Sequence, residues 1–145
     1  MATNPTLEEF ISTTRKEFSF LVSDYGYAEA PTDNDENIFL VKFENRQVRV
    51  SIEGINYGFG VQVMLTNMAA GKNEVAEVPL WVVVELIEPD GIKPVSGQLQ
   101  ELTVLSEALE TYGSDILNGD FSVFPDAYKL MMEIANQEEP ERRLP

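Results

Sequence analysis

The chain has 145 residues, 43% of them hydrophobic, which fits one globular domain built around a single core. It contains neither cysteine nor histidine, so disulfides, thiolate catalysis, Ser-His and Cys-His nucleophiles and the common zinc sites are excluded for want of the atoms. Twenty-five acidic against ten basic residues give a formal charge of −15, which argues against DNA, RNA or anionic lipid as direct partners, since binding them needs cationic neutralisation.

Basic proteins suit that charge, although acidity also serves solubility alone. Met1 to Glu9 lacks the basic start and apolar core of a signal peptide, and no apolar run approaches the ~20 residues of a membrane helix. The expected location is therefore the cytoplasm.

Thr6 to Glu9 forms an S/T-x-x-E capping box, which opens a helix. Leu7, Phe10, Ile11, Phe18, Leu21, Val22 and Tyr25 continue it as one apolar stripe, and Gly26 closes it. Ala28 to Asn37 is polar and reads as a solvated loop. Ile38 to Phe43 is strand-like, Glu44 to Arg46 turns the chain, and Gln47 to Glu53 alternates with Val48, Val50 and Ile52 inward: a half-buried antiparallel hairpin. Gly54 to Gly58 turns again. Phe59 to Leu65 gives a third strand, with Gly60 as a candidate bulge.

Val78 to Glu88, V-P-L-W-V-V-V-E-L-I-E, is the longest nearly unbroken apolar run and reads as the central strand of the sheet, covered on both faces. Pro89-Asp90-Gly91 ends it. Leu99, Leu102, Leu105, Leu109 and Tyr112 give a second helix, closed by Gly113; Ser114 to Gly119 reads as a short helical turn. A last helix opens near Ser122 to Asp126, with Ala127, Leu130, Met131 and Ile134 inward and Pro125 near its first turn. The predicted fold is α+β: an N-terminal helix, a four-stranded mostly antiparallel sheet, and two or three C-terminal helices packed mainly on one face. Residues 1–136 form the expected domain, and 137–145 a mobile tail.

Candidate chemistry is sparse. Asp33, Asp35, Asn37 and Glu44 have the spacing of a calcium loop, but Ile38 stands where that loop needs glycine. Gly54, Gly58 and Gly60 lack the lysine and helix of a phosphate loop. No cofactor or metal site is expected, and no enzymatic activity. Glu85, the one charge inside the central run, is a candidate for a raised pKa or for pairing with Lys42 or Arg49 on a neighbouring strand. The distinctive feature is regional. No positive residue falls between Lys93 and Lys129, whereas Glu101, Glu107, Glu110, Asp115, Asp120 and Asp126 do, giving a negative surface suited to a basic partner.

Tyr112 to Phe124, Y-G-S-D-I-L-N-G-D-F-S-V-F, resembles a C-terminal pattern of small, largely uncharacterised bacterial α+β proteins of immunity-protein type. That resemblance, carried by Leu117, Gly119, Asp120 and Phe121, implies a protein that binds and neutralises a toxin partner. The helix, antiparallel sheet, helix order and the acidity are also similar to secretion-chaperone-like proteins, which bind partner segments and catalyse nothing. No residue role carries over from either. The reading is a non-catalytic acidic module that binds a basic protein; its alternative is a chaperone-like homodimer holding an extended partner segment. A carboxylate-dependent enzyme comes third.

Overall fold

The computed structural model describes residues 5–32, 38–55 and 60–142. In chain order the elements are α1 (Leu7–Glu17), α2 (Phe20–Ser23), β1 (Ala28–Ala30), β2 (Ile38–Glu44), β3 (Val48–Ile55), β4 (Gly60–Asn67) and β5 (Glu77–Pro79). Four helices follow: α3 (Leu80–Ile87), α4 (Gln98–Tyr112), α5 (Ser114–Leu117) and α6 (Phe124–Arg142). The strands form one antiparallel sheet in the order β1-β2-β3-β4-β5. The α+β class is as expected, with five strands where four were predicted.

The capping box forms. Thr6 Oγ1 accepts the Glu9 amide at 3.1 Å and Glu9 Oε1 accepts the Thr6 amide at 3.1 Å. The single predicted helix is broken at Phe18 and Ser19, between α1 and α2. Phe10, Phe18 and Leu21 are buried as the stripe requires, but the break turns Val22 outward to 50% exposure. Gly26, at φ 73°, turns the chain after α2 so that the Tyr27 amide donates to the Leu21 carbonyl at 2.9 Å.

Ala28 to Ala30, expected in a solvated loop, instead pairs with Lys42 to Glu44 as edge strand β1. Ala-Glu-Ala has no strand propensity of its own. The Arg15 guanidinium holds it against α1 through a bidentate contact with Glu29, Nε to Oε1 at 2.8 Å and Nη2 to Oε2 at 2.9 Å. That hydrogen bond and charge keep the Glu29 carboxyl below its ordinary value.

The hairpin of β2 and β3 has the alternation expected. Val48, Val50 and Ile52 are fully buried, beside Phe39, Val41 and Phe43 on β2 and Val63 and Leu65 on β4. Phe10 of α1 packs on Phe39 with ring centroids 5.5 Å apart. Gly54 permits this approach, since a Cβ there would lie 2.4 Å from the Phe10 ring. Gly60 pairs with Ile55 in regular register, so the suspected bulge is an ordinary ladder pair. The opposite sheet face, with Lys42, Arg49, Ser51, Glu53 and Met64, is half-exposed.

The largest correction concerns Val78 to Glu88. Only Val78 and Pro79 continue as strand; from Leu80 the chain is helical. Leu80, Val83 and Val84 are buried at helical spacing, as is Val82, while Trp81, Leu86 and Ile87 are exposed. Pro79 has no amide to extend a ladder and stands in extended conformation as the helix N-cap. Continued as an edge strand, the run would leave one row of backbone groups unpaired beside an apolar face. As a helix it closes its own hydrogen bonds and packs on α4, α6 and the sheet.

α4 follows its predicted stripe, with Leu102, Leu105 and Leu109 buried and Leu99 and Tyr112 partly so, and it ends at Gly113. The Tyr112 hydroxyl donates to the Glu88 carboxylate, linking the far end of α4 to the end of α3. α6 buries Phe124 and Ala127 and runs on to Arg142, through residues that the sequence reading assigns to a tail.

Candidate functional site

β5 is short, and this creates a cleft. It pairs only with Met64 to Thr66, so among the described residues β4 from Gly60 to Val63 has no strand neighbour on that side. α3 then leaves the sheet, the connection Glu88 to Gly97 loops back, and α4 returns across the gap. Between them lies an open cleft of about 330 Å³.

Each wall comes from a different element. β4 supplies Val61, α3 supplies Trp81, Val84 and Glu85, and α4 supplies Glu101 and Leu105. The connection adds Asp90, Ile92, Lys93, Pro94 and Val95. A turn at Glu88 to Gly91 aims it, with the Gly91 amide donating to Glu88 carbonyl at 2.9 Å and Asp90 at φ 60°. Only glycine fits at 91, because a Cβ would lie 2.8 Å from that carbonyl and 2.9 Å from Val84 Cγ1. The Asp90 amide donates to Glu85 Oε2 at 3.2 Å, holding the Glu85 carboxylate at the cleft.

Glu101 is set apart by an enclosed carboxylate oxygen. It sits in the first turn of α4, with its carboxylate close enough to the Val61 amide of β4 to feel that dipole. Its Oε2 is enclosed and has no hydrogen-bond partner among the described residues. Burial pushes its pKa above the ordinary carboxylate value, against the opposing effect of the Val61 amide. Trp81, the chain's only tryptophan, lines the same cleft at 38% exposure. Three carboxylates and one ammonium, from Lys93, thus line a mostly apolar hollow. Such a lining favours a cation carried on an apolar stem.

The six acidic residues singled out from sequence are divided by the fold. Glu101 turns into the cleft. Glu107 and Glu110 on α4, Asp115 on α5, Asp120 in the following turn and Asp126 in the first turn of α6 are exposed. Asp120 Oδ1 accepts the Ser122 amide at 3.0 Å, which lowers its pKa. Among the described residues the ion pairs are Arg15–Glu29 and Arg49–Glu44, so none of these five carboxylates is neutralised by one. Glu85 lies on a helix and not between strands; Arg49, its suggested partner, pairs with Glu44 at 2.8 Å.

Sequence reasoning missed the convergence of Trp81, Glu85, Asp90 and Glu101. One signal was available: Glu101 precedes Leu105 by four residues, which puts it on the border of the apolar stripe of α4. Asp33, Asp35 and Asn37 of the calcium spacing lie outside the described residues, and Glu44 is in β2. Among the described residues, no group of three or more carboxylates is placed to hold a metal ion, and no helix is long and apolar enough to cross a membrane.

The chain is an α+β protein with a five-stranded antiparallel meander, helices stacked over one face, and an acidic cleft at the open edge of its fourth strand. Set against models of known families, curated proteins and solved structures, it matches none.

Proposed function

We propose that this protein is a non-catalytic binding module that engages a basic protein through the acidic surface of α4, α5 and the start of α6. The observation that carries this reading is the run of five exposed carboxylates, Glu107, Glu110, Asp115, Asp120 and Asp126, none in an ion pair among the described residues. Unneutralised charge of one sign speeds encounter with a partner of the other sign and repels nucleic acid. The resemblance to immunity-type proteins supports a partner that is neutralised by being bound. Cytoplasmic location belongs to the same proposal.

Capture from a lysate of the native host tests it. Wild-type bait is expected to retain a basic protein at low ionic strength and release it in high salt, where the screening length falls to about 3 Å at 1 M. The Glu107→Lys, Glu110→Lys, Asp115→Lys triple variant is expected to lose that protein. Capture unaffected by the triple variant would sink the reading.

A chaperone-like homodimer is the second reading. It is favoured by the exposed apolar side chains Leu86, Ile87, Tyr128 and Met132 on the mutually packed helices α3 and α6. Sedimentation separates the two, since only the second requires a stable dimer.

A further inference from the structure

From the cleft at the open edge of β4 we infer that it is a receptor for one arginine side chain presented by the basic partner. This rests on the proposed binding role and specifies where the partner inserts. The cleft, at about 330 Å³, lies at the small end of ligand pockets, which run from about 300 to 1,000 Å³, so it accepts a side chain and not a folded surface. Its chemistry matches a guanidinium on a methylene stem. Val61, Val84 and Leu105 offer apolar wall to the methylenes, and Trp81 adds an indole to the lining for a planar cation.

The charge is arranged to match. Glu85 and Asp90 stand at the cleft, and Glu101 is a carboxylate with one enclosed oxygen lacking any donor among the described residues. A desolvated carboxylate in that state gains most from a charged donor, which an incoming guanidinium supplies. Arginine suits the site better than lysine because its planar fork both stacks on an indole and bonds a carboxylate twice. Lys93 is the opposing group. It is the one cation in the lining, it competes for the same carboxylates, and its removal strengthens binding.

Because Trp81 is the sole tryptophan, its fluorescence reports on this cleft alone. Titration of the intact protein with N-acetyl-arginine methylamide is expected to give a saturable change in emission. The citrulline analogue, of the same shape without charge, is expected to give none, and the lysine analogue weaker binding. Glu101→Gln and Glu85→Gln are each expected to weaken the arginine probe about three- to tenfold, and Lys93→Ala to tighten it. Trp81→Phe, followed by calorimetry, is expected to weaken it about threefold or more.

Equal response to citrulline, lysine binding as tight as arginine, or affinity unchanged in both glutamine variants would each overturn the inference. A failed titration with salt-sensitive partner capture intact overturns the role of the cleft and leaves the acidic surface standing. A saturating titration with no capture from the lysate does the reverse.

Discussion

Tyr27 is 2% exposed yet carries a hydroxyl, which donates to Leu117 carbonyl at 2.8 Å and so ties the start of the sheet to α5. Burial raises its pKa, keeping it a neutral donor. Tyr27→Phe leaves that carbonyl without its partner, and a loss of about 1–2 kcal/mol in urea unfolding is expected. Glu101 behaves oppositely to the usual carboxylate. Its folded-state pKa is raised, so the native state binds the proton more tightly than the unfolded chain. Its contribution is thus favourable below the unfolded pKa, about 4.3, and is lost as pH rises through the folded value. Glu101→Gln removes that dependence, so the variant is expected to gain on wild type between pH 4 and pH 7 in denaturant unfolding. An advantage that shrinks over this interval would show that Glu101 is ordinarily solvated.

At the scale of elements, the C-terminal end of α4 works against the helix dipole. Glu110 lies in its last turn, which has no basic residue, although carboxylates are unfavourable at a helix C-terminus. Glu110→Lys is therefore expected to stabilise the protein by about 0.3–1 kcal/mol while weakening partner capture. Stability and binding moving together would show that the residue serves the fold alone. α3 teaches a different lesson. Val82, Val83 and Val84 are strand formers, and an eight-residue apolar run satisfies both the strand and the helix pattern. What decides between them is the edge: a helix leaves no unpaired backbone row, and it brings Val84 round to the side of Trp81 and Glu85 that faces the cleft, where a strand would turn it away. β1 is the converse case, a strand without strand-forming residues, held by its pairing to β2 and by Arg15.

For the molecule as a whole, a formal charge of −15 on 145 residues means that the folded state works against self-repulsion. Raising sodium chloride from about 0.01 M to about 1 M shortens the screening length from about 30 Å to about 3 Å. The melting temperature is expected to rise by a few degrees over that range, and a flat or falling curve would contradict the charge argument. The sequence by itself determined the α+β class, the capping box, the β2–β3 hairpin and the α4 stripe, because each rests on a local period or a short-range bond. It also excluded imidazole and thiol chemistry, since composition needs no fold. The tertiary structure alone decided that Val78 to Glu88 is mostly helix, that Ala28 to Ala30 is strand, and that Glu101 parts company with the other five carboxylates. Those outcomes depend on which backbone edge is left open and what packs across it, and that is set by residues far apart along the chain.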